Sequence, residues 1–443
     1  MVISAILGSS LGSKLYYQIN FMNRTFWIIA LISFINALSF TILIPVLYKY
    51  GREFQLNDFQ VSLVFAIFSI AQFFSTPVIG KLADRYGRKP LLIISLAGTV
   101  VANLTAGLAT TAWVLFAARL LDGITGGNAS VAQAVISDVT TPANRAKGFG
   151  IFGASFGLGF ILGPAISLLA QKISLGASFI TSSVIATIAL FLTIFLLPET
   201  LNHQVTDSEI DPMNPVSDPQ INPVINEDSD PQPSSKPKNQ LFDLGLDKLI
   251  TGLFMPKIGI LLIINFLVGT TFTIFTFAFQ PYFLEVLKQN NDNLTLMFFM
   301  FGVFGVIVQT LGVSFLTKIF KLDHILFLGL LVRSLSFIAM PIWVNVTYFV
   351  IVSIIFSTLN AVVQPMLGAL ISLNAKPEEQ GTVLGLNSSY LSVSNAVGPV
   401  IAGVIVDSTH PNTYAYPLYL AGFCTFAALV YAFQTRKQYA VVK

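Results

Sequence analysis

Twelve long apolar segments dominate this sequence, and a soluble fold could not bury so many of them. A membrane-spanning helix needs about 20 mostly apolar residues, and each segment is of that length. The chain is 54% hydrophobic and only 10% charged, whereas soluble domains carry roughly 25% charged residues. The sequence therefore predicts an all-α polytopic membrane protein. The predicted spans lie near residues 25–48, 59–80, 90–110, 113–136, 148–170, 178–197, 257–282, 294–317, 325–344, 348–371, 382–406 and 416–434.

Basic residues are unevenly distributed between the two sides of the predicted membrane domain. Outside the long central segment, fourteen Lys and Arg residues fall on the side that carries both termini. The other side holds four, which are Lys49, Arg52, Lys172 and Lys288. Because cytoplasmic loops carry an excess of Lys and Arg, both termini are predicted to be cytoplasmic. We expect the protein in the plasma or inner membrane of the cell.

The central segment, residues 198–256, differs in composition from the rest of the chain. From Asp207 to Lys238 it is rich in Pro, Asn, Asp and Ser, and such a composition buries too little apolar surface to fold. It predicts a disordered cytoplasmic linker that acts as a passive tether, with binding of a partner as the alternative, while Leu241–Phe254 is expected to lie along the membrane surface. The predicted organisation is a cytoplasmic segment 1–24, a six-helix bundle 25–197, the linker 198–256, a second six-helix bundle 257–434 and a tail 435–443.

The two bundles also share residues at a fixed offset of 235 positions. Seven identities occur within 31 positions without a gap, and several of them are Gly or Pro. This repeat predicts two pseudo-symmetric six-helix bundles around a central cavity, an arrangement that transporters use for alternating access. The matched pairs are Ile136/Ile371, Ser137/Ser372, Pro142/Pro377, Gly150/Gly385, Gly163/Gly398, Pro164/Pro399 and Ile166/Ile401.

A short charged stretch, residues 80–90, joins the second and third apolar segments. Its pattern Gly-x-x-x-Asp-Arg-x-Gly-x-Lys resembles the signature loop between helices 2 and 3 of the major facilitator superfamily. The resemblance implies a gating loop, in which Asp84 pairs with the cytoplasmic start of helix 11, near Gly381–Thr382, when the transporter faces outward. The second copy of the loop, between spans 8 and 9, lacks the acidic-basic pair. The gating residues predicted from the first copy are Gly80, Asp84, Arg85, Gly87, Arg88 and Lys89.

Span 4 contains an Arg and an Asp three residues apart. Arg119 and Asp122 face the same side of a helix, and Asp122 falls near the middle of the bilayer. Because intramembrane charges usually mark ion or substrate pathways, we predict that Asp122 is the proton carrier and Arg119 its partner. The alternative is a static ion pair that only fixes helix packing.

Span 5 contains the run Gly159-x-x-x-Gly163-Pro164, which resembles the antiporter motif of exporters in the same superfamily. The region from Arg119 to Pro164 is similar to the drug:proton antiporters of the tetracycline-efflux type. Those exporters carry acidic residues in helices 1, 3 and 9, where this chain has Asn36, Asn103 and Arg333. This difference argues against tetracycline itself as the substrate.

Polar residues within the spans are candidates for substrate binding. Helices 1, 4, 7 and 10 line the cavity in the fold that this chain resembles. The alternative role for each residue is an interhelical hydrogen bond. The predicted cavity residues are Asn36, Asn128, Gln133, Gln280, Asn360 and Gln364.

These observations predict a secondary transporter that exports small amphipathic compounds in exchange for protons. The three histidines do not cluster in the sequence, and there is no phosphate-binding GxxxxGK[ST] loop. We therefore expect neither an enzyme nor ATP-driven transport, no metal, and no cofactor beyond the proton gradient. The expected partners are a small-molecule substrate, protons and the lipid bilayer, without nucleic acid, and the protein is expected to be a monomer. The alternatives are proton-coupled uptake of a sugar or metabolite, and a sensor or lipid handler with a transporter fold.

Overall fold

The computed structural model describes residues 24–140, 142–201, 246–375 and 380–439, and the regular structure within them is entirely helical. We number the membrane crossings as spans 1 to 12. The first half comprises span 1 (Arg24–Thr41) with a short helix Leu47–Glu53, span 2 (Asp58–Tyr86), span 3 (Arg88–Gly107), span 4 (Ala112–Ile124 and Asn128–Val139), span 5 (Pro142–Ala170) and span 6 (Leu175–Leu196).

The second half begins with a short helix, Leu246–Leu253, in the segment where a surface helix was expected. The Tyr390 hydroxyl donates to the Leu249 carbonyl at 2.5 Å, which ties this helix to span 11. The second half comprises span 7 (Ile258–Pro281, extended by Tyr282–Val286), span 8 (Asn291–Ile307, Val308–Gly312 and Val313–Ile319), span 9 (Leu322–Ala339), span 10 (Val346–Asn360 and Val363–Asn374), span 11 (Gln380–Ile405) and span 12 (Tyr416–Tyr439, after a turn Pro411–Ala415).

Span 4 is broken in its middle, although the sequence predicted a continuous helix over 113–136. Within the described residues, eleven helical segments are long and apolar enough to cross a membrane, and the two short helices of span 4 make the twelfth crossing. The break exposes backbone carbonyls that a membrane cannot hydrate, so neighbouring side chains must satisfy them. Gln72 donates to the Gly126 carbonyl at 3.0 Å, Ser75 donates to the Gly123 carbonyl at 2.8 Å, and Ser95 donates to the Thr125 carbonyl.

Span 1 also ends earlier than predicted. The sequence indicated a helix over 25–48, but the regular helix stops at Thr41 and a new helix begins at Leu47. Pro45 lies in the turn between them, and a proline inside a helix removes a backbone donor and clashes with the preceding turn. The prediction overlooked this effect of Pro45.

The two halves form two six-span bundles that meet along two pairs of spans. Span 2 packs against span 11, and span 5 packs against span 8. The chain is therefore an all-α membrane protein with twelve spans in two bundles. We call the end that carries residues 80–90 the basic end, and the other end, where Asp58 begins span 2, the opposite end. The predicted linker lies largely outside the described residues, and its disorder stays a prediction.

Candidate functional site

A cavity of about 620 Å³ lies between the two halves. Most of the residues predicted for it are in its lining, namely Asn36, Asn128, Asn360 and Gln364. Arg119 and Asp122 also line it and are the only charged side chains that do so among the described residues. The aromatic lining residues of the second half are Phe272, Phe275, Phe277, Phe298, Phe301 and Phe356.

Two predicted cavity residues lie outside this lining. Gln280 is completely buried near the opposite end of span 7, and its side-chain amide donates back to the Thr276 carbonyl at 3.2 Å. Gln133 is half-buried in the second helix of span 4 but is not among the lining residues. The sequence assigned both residues to the cavity because they occur in cavity-lining helices, but it could not give the direction in which each side chain points.

The Arg119–Asp122 pair is buried in the cavity wall. An Nη1 proton of Arg119 is donated to Asp122 Oδ2 at 3.0 Å, and the residues are only 5% and 6% exposed. The Arg119 guanidinium also lies over the ring of Phe68, with its Cζ 4.3 Å from the ring centroid. Isolated charges are very costly in such a site, so each of these two charges depends on the other.

The polar lining of the first half is connected by hydrogen bonds. The Asn128 side-chain amide donates to Asn36 Oδ1 at 2.9 Å, which joins span 4 to span 1. Asn103 donates from span 3 to the Ser182 hydroxyl of span 6 at 3.0 Å. Asn36 and Asn103 both serve here as hydrogen-bonding amides.

The glycines of the predicted antiporter motif lie where span 5 approaches span 1. A Cβ at Gly159 would press against Ala37, and one at Gly163 would collide with Thr41. The Thr41 hydroxyl donates to the Gly159 carbonyl at 2.7 Å. The small residues therefore allow close contact between the two helices, as small residues do in membrane bundles. Pro164, which belongs to the same motif, lies inside span 5. The role of this motif in antiport stays a prediction.

The cavity is closed at the opposite end by contacts between the halves. The buried Asp58 carboxylate of span 2 accepts hydrogen bonds from two tyrosines, Tyr48 at 2.5 Å and Tyr414 at 3.2 Å. Tyr414 belongs to the second half, so Asp58 bridges the bundles. A second bridge joins Gln171 to Asp292 at 3.0 Å. The sequence prediction missed Asp58, although an acidic residue directly before a predicted span was a usable signal.

Toward the basic end, span 5 and span 8 separate. A Cβ at Gly157 would contact Val306 of span 8, but one at Gly153 or Gly150, farther along the same face, would meet no described residue within 4 Å. The cavity is therefore closed at the opposite end and widens toward the basic end.

The charged loop at the basic end is held within the first half in this state. Arg88 donates to the Asp84 carboxylate, and its Nε donates to Asp138 Oδ2 at 3.1 Å. Gly87 has a φ of 107°, a left-handed conformation that favours glycine. Arg85 lies with its Cζ 5.3 Å from the Tyr86 ring centroid. The side chains at the start of span 11, the predicted partner of Asp84, lie outside the described residues.

Glu199, which the sequence analysis missed, anchors this loop. Its carboxylate accepts from the backbone N–H groups of Arg88 at 2.8 Å and Lys89 at 3.1 Å, at the N-terminus of span 3. Partial burial opposes ionisation, but backbone donors outweigh this effect and lower the pKa of Glu199. The available signal in the sequence was an acidic residue just after predicted span 6, in a segment expected on the side of the membrane that carries most of the Lys and Arg residues. A Cβ at Gly80, the first residue of the loop, would meet no described residue within 4 Å.

Comparison with known proteins shows which family this chain belongs to. A sequence model of the Major Facilitator Superfamily matches residues 2–255 and 261–442. The chain belongs to the major facilitator superfamily. Among its relatives, the class B tetracycline resistance protein of Escherichia coli is 28% identical over 438 residues, covering 94% of this chain and 98% of the relative. Multidrug resistance protein 2 of Bacillus subtilis is 26% identical over 414 residues, covering 92% and 94%.

Solved structures of the superfamily share the fold. The human organic anion transporter MFSD10 superposes with a TM-score of 0.67 at 19% identity, covering 92% of this chain and 98% of that one. The nucleoside transporter NupG gives a TM-score of 0.68 at 12% identity, covering 94% and 100%. At such identities the likeness concerns the arrangement of the spans and carries no information on the substrate.

Proposed function

We propose that this superfamily member exports small amphipathic compounds in exchange for protons. The observation that carries the proposal is Asp122, the one carboxylate in the cavity lining of the described residues, where it is held by Arg119. The relatives named as tetracycline and multidrug resistance proteins support export as the direction of transport. The pattern of Lys and Arg supports a cytoplasmic basic end and cytoplasmic termini in a plasma or inner membrane.

The proposed mechanism depends on which end of the cavity is open and on the charge of the residues that line it. With the opposite end closed at Asp58, the cavity takes up substrate from the basic end, which is the cytoplasmic side under this proposal. A proton on Asp122 removes the negative partner of Arg119 and changes the charge of the cavity by one unit. A substrate whose donor group reaches the Asp122 carboxylate competes with the proton for it, and substrate and proton are carried in opposite directions when access alternates. Neither an enzymatic step nor a cofactor is required, and a monomer contains the complete cavity.

The loop at the basic end has a predicted role in the outward-facing state. Asp84 is 63% exposed in its side chain and is held by Arg88. Closure of the basic end would allow Asp84 to approach the start of span 11, as the superfamily resemblance implies. The positive end of that helix would then stabilise the carboxylate.

Transport in proteoliposomes tests the proposal and its alternatives. Norfloxacin, a fluorescent amphipathic drug, is added outside vesicles with an acidic lumen and an alkaline exterior. An antiporter accumulates the drug in the lumen as protons leave, whereas a proton-coupled importer accumulates it only when the gradient is reversed. A sensor or lipid handler moves the drug under neither gradient.

Two controls measure the norfloxacin that vesicles retain without transport. A variant then removes the carboxylate that is proposed to couple transport to protons. Protein-free liposomes measure the norfloxacin that the pH gradient alone retains, and an ionophore that collapses the gradient must abolish the protein-dependent part. The Asp122→Asn variant is expected to lose gradient-driven accumulation. Accumulation by Asp122→Asn equal to that of the unmodified protein would overturn Asp122 as the proton carrier.

A further inference from the structure

Arg333 in span 9 is a buried cation that lies directly behind the cavity wall. It is 1% exposed, and its Nη2 donates to the Val268 carbonyl at 2.6 Å and to the Thr271 hydroxyl at 2.9 Å. Its Nη1 donates to Asn360 Oδ1 at 3.2 Å. Arg333 therefore connects span 9 to spans 7 and 10, and one of its partners, Asn360, lines the cavity.

The charge of Arg333 is not neutralised by a carboxylate in the described part of the chain. Its contacts are a carbonyl, a hydroxyl, an amide and the rings of Phe272 and Phe337, whose centroids lie 5.7 and 5.3 Å from Cζ. Its Nε, moreover, has no hydrogen-bond partner there. Arginine stays protonated in proteins. When Asp122 is ionised, it cancels the charge of Arg119, and the described residues in and behind the cavity wall carry one net positive charge from Arg333.

Arg333 also fixes the orientation of the Asn360 amide. A guanidinium has only donors, so the Asn360 atom that faces it must be the carbonyl oxygen. The amide nitrogen of Asn360 is then left as the donor on the cavity-lining side chain. Hydrogen bonding to a charged donor polarises this amide further. The second half thus offers a donor backed by a positive charge, beside the aromatic lining residues Phe272 and Phe356.

We propose that Arg333 and Asn360 form a recognition site for an acceptor group of the substrate, a carboxylate or carbonyl carried on an aromatic body. Asn360 contacts this group, and Arg333 acts as a positioning residue that sets the amide orientation and supplies the charge. The inference rests on the proposed function, in that it takes the cavity to be the substrate site. It narrows the substrate class to aromatic anions, zwitterions and carbonyl compounds, in preference to plain aromatic cations.

Binding of three compounds with one aromatic ring system tests this charge preference. The probes are 1-naphthylacetate, the neutral 1-naphthylacetamide and (1-naphthylmethyl)trimethylammonium, and their Kd values are measured by calorimetry on the purified full-length protein. The anion is expected to bind at least about tenfold more tightly than the cation, the lower limit for one hydrogen bond to a charged group. Equal binding of the two, or tighter binding of the cation, overturns the proposal.

Asn360→Asp is the decisive variant, because it is expected to fold and to reverse the preference. An aspartate oxygen would accept from Arg333 at the position of Oδ1 and neutralise its charge, while the cavity would gain an acceptor in place of a donor. The cation is then expected to bind at least as tightly as the anion. Retention of the anion preference in Asn360→Asp overturns the proposal.

The control and a second variant separate recognition from structure. Asn387→Asp makes the same change in span 11, at a residue that contacts Asn265 outside the cavity lining, and it should keep the anion preference. Arg333→Lys keeps a charge but not the geometry of the guanidinium, and should reduce the preference severalfold. Proton-coupled norfloxacin transport can persist whatever these binding ratios are, so failure of this inference is distinguishable from failure of the proposed function.

Discussion

The two halves of the cavity bury their arginines in different ways. In the first half, Arg119 lines the cavity and is paired with Asp122 at 3.0 Å. In the second half, Arg333 lies behind the lining and is held by a carbonyl, a hydroxyl and an amide. The first arrangement contains a group that can exchange a proton, whereas the second does not. The comparison suggests that the first half couples transport to protons and the second half selects the substrate.

The two halves also differ in the charged residues that they carry at the basic end. The first half keeps the complete charged loop, in which Arg88 contacts Asp84 and Asp138. In the second half, the described residues of the corresponding junction include an ion pair between Asp323 at the start of span 9 and Arg436 near the end of span 12, with Nε to Oδ2 at 2.5 Å. Among the described residues, the complete charged loop occurs in the first half, and its gating role stays a prediction.

The largest expected effect is on stability, when each buried arginine is replaced in turn and the two losses are compared. Arg119→Met leaves the Asp122 carboxylate buried without its partner, a change that typically costs about 3–5 kcal/mol. Arg333→Met leaves no unpaired charge and removes only hydrogen bonds, which costs about 1–3 kcal/mol for the groups left unsatisfied. Thermal unfolding in detergent should show a lower Tm for Arg119→Met. An equal or larger loss for Arg333→Met would break the comparison.

The aromatic wall of the second half should contribute to binding but not to coupling. The Phe275 ring lies 4.5 Å from the Phe356 centroid and 4.8 Å from that of Phe337. Phe275→Leu is expected to weaken norfloxacin binding about three- to tenfold, the size of an aromatic contact, without changing proton release per ligand bound. Phe327→Leu, which alters an aromatic residue packed near Arg436 at the basic end, should leave the Kd unchanged. A lower proton release in Phe275→Leu would contradict the division between the halves.

The contact at Asp58 is expected to control how the halves separate. Asp58→Asn removes the charge that strengthens its hydrogen bonds with Tyr48 and Tyr414, and the opposite end should open more often. Spin labels at Thr110 and Val344, both exposed at that end, would report a larger long-distance population in a Cys424→Ser background. Asp407→Asn, which alters a carboxylate bonded within its own loop, is the control. No shift in Asp58→Asn would show that this contact does not hold the end closed.

The smallest expected effect concerns the anchor of the charged loop. Glu199→Gln removes an anion that caps span 3, and a lost cap lowers Tm by about 1–2 °C in a protein of this size. The pKa of Glu199 is lowered in the folded state, so its contribution is present above the unfolded value, near pH 4.3. It disappears as the pH falls through the folded value. The Tm difference between Glu199→Gln and the unmodified protein should therefore vanish in acid, and a difference that grows there would contradict this role.

The number of spans and the division into halves could be predicted because they depend on long apolar segments and on repeated Gly and Pro. Arg119, Asp122 and four of the six cavity amides were also found, because polar residues are rare within spans. Sequence could not place Gln133 and Gln280, because both lie in regular helices of cavity-lining spans and the sequence does not give the direction in which each side chain points. Asp58 and Glu199 stand out in the sequence as acidic residues at the ends of spans, but their partners lie in distant segments, such as Tyr414 for Asp58, and no local pattern identifies those contacts.

Proton release on ligand binding tests the central claim, that Asp122 in the first half couples transport to protons. Norfloxacin is added to the detergent-purified protein in weak buffer with a pH indicator, in parallel with Asp122→Asn and with Asp323→Asn. The latter changes a buried, arginine-paired carboxylate outside the cavity. The account predicts release from the unmodified protein and from Asp323→Asn, and none from Asp122→Asn. Undiminished release from an Asp122→Asn variant that still binds norfloxacin would contradict it.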